Sequence, residues 1–385
     1  MKILIAPDSF KGNLSSLKVA RAIEKGIRRV LPSADCIAVP MADGGEGTVR
    51  SMLDALGGKY IRKQVCGPDT QKVKARYGLL ADGRTAVIEM AEASGLPLVA
   101  STKKNPLTAT SYGTGELIVD ALNKGANKII IGIGGSATND AGAGMAQALG
   151  VRFFNARGAE IRTPAAGGML DKIFEINTDN LHPGLKKCRV VVASDVDNPL
   201  CGRRGASAIF GPQKGATEKM VKQLDENLKQ FAKLIKQELQ IDVRTLKGAG
   251  AAGGLGAGLV AFANARLRSG IDIVIEATQL KAQLKTADLV FTGEGRVDLQ
   301  TAFGKTPAGV ARAARRYRIP VVAIGGGLSD DARGVFDYGI DALDSAIARD
   351  MSLDVALKDS RKFIANASER ALRLILVGKK MTKRR

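Results

Sequence analysis

Aromatic residues are scarce in this chain: tryptophan is absent, and Phe, Trp and Tyr together make up 4% of it. Proteins that hold single-stranded nucleic acid usually stack bases on aromatic rings, so the composition lacks the groups for that function. Long apolar runs are also missing, and none approaches the ~20 residues of a membrane span. The opening "MKILIAPDSF" is too short for the apolar core of a signal peptide. We therefore expect a cytoplasmic protein with no membrane partner.

Histidine and paired cysteines are nearly missing as well. Cys36, Cys66, Cys188 and Cys201 show no CxxC spacing, which argues against a zinc or disulfide framework and favours a reducing compartment. His182 is the only histidine and stands next to a Pro-Gly turn sequence. A Ser-His-Asp triad would have to use this residue, so we expect any general base to be a carboxylate or a lysine.

Acidic residues are in deficit, with 38 Asp and Glu against 58 Lys and Arg, and the net charge is +20. Five basic residues lie in the C-terminal "GKKMTKRR" at 378–385, and the rest of the excess is spread along the chain. A spread positive excess attracts small anionic substrates. A basic nucleic-acid-binding protein is the alternative on charge alone, although we expect no specific nucleic-acid partner.

What is present is an alternation of strand and helix patterns at both ends of the chain. "KILIAPD" (2–8) and "DCIAVPM" (35–41) are predicted strands, each followed by a helix pattern. The alternation returns from "ADLVFTGEG" (287–295) and closes with one helix predicted over roughly 354–376. This rhythm is typical of a parallel sheet, whereas residues 65–110 look like short antiparallel strands.

We therefore predict an α/β protein of two domains. Residues 1–64 and 276–385 form a Rossmann-like or flavodoxin-like domain with a parallel sheet, and residues 65–275 form an inserted mixed α/β domain. Insertion of one domain into a surface loop of another is well tolerated. The active site is expected in the cleft between the two domains.

Charged residues follow three of the predicted strands of the first domain. They are Asp8 and Lys11 after the first, Asp43 and Glu46 after the second, and Glu294, Asp298 and Lys305 after "ADLVFTGEG". Open α/β sheets bind their ligands at the carboxyl ends of the strands. Three such loops at equivalent positions predict one shared site.

Two glycine-rich segments resemble nucleotide-binding motifs without matching them. "GKT" at 304–306 lacks the first glycine of a P-loop, because Leu299 occupies that position. "GAGAAGG" at 248–254 contains a G-x-G-x-x-G, but the preceding "IDVRTLK" is a poor buried strand. A dinucleotide-dependent oxidoreductase is therefore the second alternative. A glycine turn that opens a helix can still bind a phosphate through its backbone N–H groups.

The segment "GIGGSATNDAGAG" at 132–144 is predicted to contain the end of a strand, a loop and the start of a helix. Ser136, Thr138 and Asn139 are helix N-cap types, and hydroxyls beside unpaired N–H groups form a seat for a phosphate or a carboxylate. Further on, Asp195 ends a predicted strand beside an Asn-Pro turn sequence, where it suits a general base or a magnesium ligand.

These segments together resemble the type 1 glycerate kinases of bacteria. The matching stretches are "IAPDSFKGNLSS", "PMADGGEGT", "GIGGSATNDAGAGMAQALG", "DVDNPLCGRRGASAIFGPQKGA", "GAGAAGGLGAGL" and "ADLVFTGEGRVDLQTAFGKTPAGVA". They follow one another in order from the start of the chain to about residue 330. The resemblance implies phosphorylation of D-glycerate by ATP with Mg²⁺, in a Rossmann-like domain with an inserted α/β domain. By the same resemblance the 2-hydroxyl is the favoured acceptor, with the 3-hydroxyl as the alternative.

On the matched motifs we assign hypothetical roles. Catalysis is assigned to Asp195, Lys11 and Asp8, with Asp195 accepting the proton of the attacking hydroxyl. Glycerate is assigned to Gly134, Gly135, Ser136, Thr138, Asn139 and Arg296. The ATP phosphates are assigned to Lys305, Gly253, Gly254, Gly256 and Lys214. Mg²⁺ is assigned to one or two of Asp43, Glu46 and Asp298, because magnesium takes few carboxylates besides phosphate oxygens.

Overall fold

A computed structural model describes residues 1–302 and 304–382 of the chain. It divides into two compact units. The terminal unit comprises Met1–Asp43, Arg50–Leu56 and the chain from Ile271 onward, and the central unit comprises Gly44–Val49 and Gly57–Gly270. The last three residues of the basic C-terminal segment, 383–385, lie outside the described residues. In the described part no helix is both long enough and apolar enough to cross a bilayer.

Strands and helices are numbered along the chain. The strands are β1 (Lys2–Ile5), β2 (Asp35–Ala38), β3 (Gly58–Cys66), β4 (Lys72–Leu80), β5 (Thr85–Glu89), β6 (Lys128–Gly132), β7 (Arg152–Phe154), β8 (Glu175–Asn177), β9 (Arg189–Ala193), β10 (Arg266–Arg268), β11 (Leu289–Val297), β12 (Val321–Leu328) and β13 (Ala342–Ser345). The α-helices are α1 (Ser16–Arg28), α2 (Thr48–Leu56), α3 (Ala91–Ser94), α4 (Tyr112–Asn123), α5 (Ala143–Ala148), α6 (Ala206–Phe210), α7 (Glu218–Leu239), α8 (Leu255–Ala263), α9 (Gly270–Ala277), α10 (Leu280–Leu284), α11 (Leu299–Ala302), α12 (Thr306–Arg315), α13 (Leu353–Lys358) and α14 (Ser360–Thr382).

The terminal unit is built on a parallel sheet with the order β2-β1-β11-β12-β13. Counted within this sheet alone the order is 2-1-3-4-5, the flavodoxin-like arrangement, so the predicted fold class is confirmed. The strand order reverses between β1 and β11. Sheets of this type bind ligands outside the carboxyl ends of the strands at that point.

Apolar periodicity explains how helices cover this sheet. Val19, Ile23 and Ile27 recur along one face of α1 and are fully buried in a core shared with α14. The single helix predicted over 354–376 is wrong in detail, because the chain forms two helices, α13 and α14, with a break at Asp359.

The central unit contains a mixed sheet with the order β10-β9-β6-β5-β4-β3. The first four strands are parallel, and β4 and β3 are antiparallel to their neighbours. The predicted boundary at residue 65 falls inside β3, which pairs with β4 from Gly58 to Cys66 and therefore belongs wholly to this unit. The other boundary lies at Gly270 instead of 275.

Three phenylalanines fix a second core of the central unit. The ring of Phe153 meets Phe231 edge-to-face at 5.7 Å between centroids and Phe262 at 6.2 Å. All three side chains are buried, and they join β7, α7 and α8. Edge-to-face aromatic pairs add stability beyond the area that they bury.

Phe153→Ala should lower the free energy of unfolding by about 3–5 kcal/mol, because it removes a ring from this closed packing. Phe174→Ala is the matched control, since Phe174 is 59% exposed. The control should stay within about 0.5 kcal/mol of wild type. Urea denaturation of both variants measures the difference, and equal losses would contradict the packing described here.

Candidate functional sites

A cavity of about 600 Å³ opens in the terminal unit at the carboxyl ends of β1, β11 and β12. Its polar end carries Asp8, Lys11, Glu294, Arg296, Asp298 and Lys305. Its apolar wall carries Leu328, Ile347, Leu353, Leu357, Phe363 and Ile364. The loops after the first and third predicted strands of this domain therefore do meet. A cavity with one charged end and one apolar wall suits a ligand that has both characters.

Asp8 is held at the base of the polar end. Its Oδ2 accepts a hydrogen bond of 2.7 Å from the hydroxyl of Thr306, the first residue of α12. Its Oδ1 accepts one of 2.6 Å from the N–H of Ser9. Burial, reinforced by the negative charge of Asp43, raises the pKa of Asp8 to about 6. The carboxylate is thus fixed in place but short of positive charge.

Lysines and carboxylates alternate around Asp8. Lys11 Nζ donates to Asp43 Oδ2 at 3.2 Å. Burial acts to lower the pKa of Lys11, but the charges of Asp43 and Asp8 outweigh it and raise the pKa overall. Lys305, the lysine of "GKT", lies 3.4 Å from Asp298 Oδ1 and 3.8 Å from Glu294 Oε2. Arg296 donates from Nε to the Ser329 hydroxyl at 3.0 Å.

Glu294 has the most exceptional environment of this group. Burial raises the pKa of its carboxyl to about 7, despite the nearby charge of Lys305. Its Oε1 is buried and has no hydrogen-bond partner among the described residues. An orphaned buried carboxylate oxygen is costly unless a cation or donor meets it. Glu294 and Asp8 therefore fit a hard divalent cation.

The three residues assigned to magnesium do not come together as a set. Asp43 is paired with Lys11, Asp298 contacts Lys305 and Thr301, and Glu46 is exposed and belongs to the central unit. Within residues 1–302 and 304–382, no group of three or more carboxylate, histidine or cysteine side chains could enclose a metal ion. Magnesium needs only one or two carboxylates when phosphates supply the other ligands.

A second pocket, of about 320 Å³, lies in the central unit at the carboxyl ends of β6 and β9. Gly134, Gly135, Ser136, Asp195 and Lys214 line it. The structure thus brings together residues that stand up to 80 positions apart along the chain. Asp195 accepts hydrogen bonds from the Gly270 N–H at 3.0 Å and the Ser269 hydroxyl at 3.3 Å, which orient its carboxylate.

The amino group of Lys214 lies in the interior of the central unit. Only 2% of the residue is exposed, and Nζ donates to Ser136 Oγ at 2.8 Å and to the Thr138 carbonyl at 2.6 Å. Burial lowers the pKa of Lys214 to about 7, although Asp140 opposes the shift. The sequence identified the residue but not its burial.

Asp140 organises the loop beneath the pocket. Its carboxylate accepts hydrogen bonds from the N–H and hydroxyl of Ser111 and from the N–H groups of Gly142 and Gly144. Thr138 and Asn139 are buried beside it, and Asn139 donates to the Ser207 hydroxyl at 3.0 Å. These two residues support the pocket from behind and do not line it. Asp140 was not among the predicted site residues, although three N-cap residue types precede it.

The glycines assigned to the ATP phosphates lie behind the second pocket rather than on its wall. Gly253, Gly254 and Gly256 are buried, and the space of a Cβ on Gly253 is filled by the Thr138 carbonyl. The Ala141 N–H also donates to the Gly253 carbonyl at 3.0 Å. Gly253 has φ +67°, so the segment needs glycine for both conformation and space.

The dinucleotide alternative lacks its structural requirement. A dinucleotide-binding turn follows directly on a strand of the sheet. In the described chain, residues 240–247 follow α7 and belong to no strand, and residues 251–254 form a 3₁₀ turn that leads into α8. The G-x-G-x-x-G pattern serves packing here.

The chain combines a flavodoxin-like unit that has a charged cavity with an inserted mixed α/β unit that has a pocket suited to an anion. This combination leads to the family. The chain belongs to the glycerate kinase family, whose model matches residues 3–376.

Individual relatives extend over nearly the whole chain. A glycerate 2-kinase of Escherichia coli K12 is 51% identical and covers 98% of this chain and 99% of its own. A glycerate kinase of Halalkalibacterium halodurans is 51% identical, with coverages of 95% and 96%. A crystal structure from Salmonella typhimurium LT2, described as a candidate glycerate kinase 2, superposes with a TM-score of 0.91 at 49% identity and covers 99% of each chain.

Gly253→Ala should destabilise the protein through the loop that it supports. Gly158→Ala is the matched control, because Gly158 has φ +72° and no atom lies within 4 Å of the position that a β-carbon would take there. Both variants lose about 1 kcal/mol from the left-handed backbone, but only Gly253→Ala loses a further ~1–3 kcal/mol from overpacking. Chemical denaturation measures both, and a Gly253→Ala loss no larger than the control would show that the turn does not support the loop.

Proposed function

We propose that this protein transfers the γ-phosphoryl group of ATP to the 2-hydroxyl of D-glycerate. Membership of the glycerate kinase family supports the reaction, and the name of the Escherichia coli relative supports the 2-position. The observation that carries the proposal is the pocket of the central unit, where Asp195, Ser136 and Lys214 converge. The four free cysteines and the use of ATP fit a cytoplasmic location.

We assign ATP to the cavity of the terminal unit. A volume of about 600 Å³ is within the range of sites for ligands of this size. Leu328, Leu353 and Phe363 provide an apolar surface for the base, and Lys11, Arg296 and Lys305 provide positive charge for the phosphates. Lys305 keeps its predicted phosphate-binding role. For Gly253, Gly254 and Gly256 we replace the predicted phosphate-binding role with structural support of the pocket in the central unit.

Asp8 and Glu294 would hold the magnesium ion that accompanies ATP. Their pKa values are raised chiefly by burial, and the neighbouring lysines do not cancel that rise. The predicted ligands Asp43 and Asp298 are engaged with lysines, so they are better suited to position Lys11 and Lys305. When bound, Mg²⁺ neutralises the charge that develops on the transferring phosphoryl group.

D-glycerate is assigned to the pocket of the central unit. The backbone at Gly134 and Gly135 can approach a very small ligand closely because neither residue carries a side chain. Ser136 provides a hydroxyl that is already fixed by Lys214. Leu96, Ile133 and Phe210 enclose the remainder and limit the size of the acid that fits.

Asp195 is proposed to accept the proton of the attacking hydroxyl. The hydrogen bonds from Gly270 and Ser269 both fall on Oδ1, and they orient the carboxylate in the wall of the pocket. Phosphoryl transfer requires mainly positioning and charge neutralisation, so a single oriented carboxylate is sufficient as the base.

Asp195→Asn should lower kcat by about 10²–10⁴-fold with a much smaller change in KM for ATP, because the amide cannot accept the proton. Asp197→Asn is the matched control, since Asp197 lies two residues on and pairs with Arg204 at the surface. Steady-state kinetics of both variants test the role. A near wild-type kcat for Asp195→Asn would remove Asp195 from it.

The reaction itself is tested by phosphorus NMR of the product from ATP and D-glycerate. A phosphate on the 2-oxygen couples to a single hydrogen and gives a doublet, whereas one on the 3-oxygen couples to two and gives a triplet. We expect a doublet that depends on glycerate, ATP and Mg²⁺. A triplet would move the acceptor to the 3-hydroxyl, and the absence of a new signal would overturn the proposed function.

A further inference from the structure

Lys214 is a buried lysine that forms no ion pair in the described part of the chain. Its Nζ donates to a hydroxyl and a carbonyl. Removing an ammonium from water without a compensating negative charge is strongly unfavourable. A residue kept in that state within a pocket wall points to a negative charge that arrives with a ligand.

The described surroundings of Lys214 offset its positive charge only in part: Asp140 acts against the effect of burial, and Asp195 lines the same pocket without an ion pair to Lys214. Asp140 is the carboxylate that acts on Lys214 most directly, but Ser111, Gly142 and Gly144 already donate to it. On its other side Lys214 borders a water-sized space of about 20 Å³, which Asp69, Lys103 and Lys104 also line. Two cations and one carboxylate on that wall add no negative charge overall.

The nitrogen of Lys214 has one position left for a ligand. An ammonium group offers three hydrogens, and Ser136 and Thr138 accept two of them. The third position holds an N–H when the lysine is protonated and a lone pair when it is neutral. Only the protonated form can donate to an anion in the pocket.

We propose that Lys214 is the receptor for the carboxylate of the substrate, and that it takes up a proton when this anion binds. The proposal rests on the proposed function, because it assigns glycerate to this pocket. It gives Lys214 a role in substrate specificity in place of the predicted contact with an ATP phosphate. A neutral polyol of the same size would gain nothing from this lysine.

The sign of the pH dependence follows from the two states of the lysine. In the empty pocket the pKa of Lys214 is about 7, because burial disfavours its charge. A bound carboxylate stabilises the charged form and raises this pKa. Affinity for glycerate is therefore greatest below pH 7 and falls above it, by up to about tenfold per pH unit.

Calorimetry on the wild-type protein tests the proton uptake directly. D-glycerate is titrated at pH 8 and pH 6 in buffers of low and high ionisation enthalpy, with and without a non-transferable ATP analogue. We expect most of one proton to be taken up per glycerate at pH 8 and little at pH 6. Binding without proton uptake at pH 8 would overturn the proposal.

Lys214→Met tests the specificity, with Lys103→Met as the control for loss of a nearby lysine. Lys214→Met should weaken D-glycerate binding by about 10²-fold or more, abolish the proton uptake and leave the weak binding of glycerol unchanged. Lys103→Met should behave as wild type. Glycerate binding within threefold of wild type in Lys214→Met, or proton uptake that persists there, would overturn the assignment.

These outcomes are separable from the fate of the proposed function. The phosphorus NMR experiment asks whether glycerate is phosphorylated by the wild-type protein and makes no reference to Lys214. An active enzyme that takes up no proton would retain the function and lose this inference. The wild-type calorimetry also stands if Lys214→Met fails to fold.

Discussion

The pocket of the central unit depends on the backbone packing of residues 250–254 against residues 138–141. The Gly253 carbonyl accepts from the Ala141 N–H, and the Gly250 N–H donates to the Asn198 carbonyl, so one turn supports both the 134–140 loop and the segment that carries Asp195. A β-carbon at Gly253 would collide with the Thr138 carbonyl, which is also an acceptor for Lys214. Gly253 thus helps to set the position of Lys214, although it does not line the pocket.

The cavity of the terminal unit is short of positive charge, and the pocket of the central unit is short of negative charge. In the terminal unit, Asp8 and Glu294 have raised pKa values and Glu294 Oε1 lacks a partner among the described residues, so that cavity is short of positive charge. In the central unit, Lys214 forms no ion pair within the described chain, and burial lowers its pKa although Asp140 opposes the shift. Buried charges of this kind are tolerated where a ligand completes them. A metal–nucleotide and a small carboxylate are the complements that we propose for these two pockets.

The fold was largely predictable, because strand and helix periodicities need only local sequence. The parallel sheet, the inserted mixed α/β unit and the buried face of α1 follow from apolar spacing. The boundary at residue 65 was wrong because β3 is polar and exposed along much of its length, and its membership is decided by pairing with β4. The break at Asp359 between α13 and α14 was missed because the apolar spacing continues through it.

The sequence indicated which residues belong to the candidate sites, but it did not indicate which of these side chains contact one another. "GKT" was noted for its lysine, yet its threonine fixes Asp8 from almost 300 positions away along the chain. Lys214 was assigned to an ATP phosphate, and its burial was not predicted, because burial of a charged side chain leaves no trace in local sequence. Its partners Ser136 and Thr138 come from the glycine-rich segment 132–144. That segment meets a lysine that another loop contributes, and this is why neither motif alone revealed the pocket.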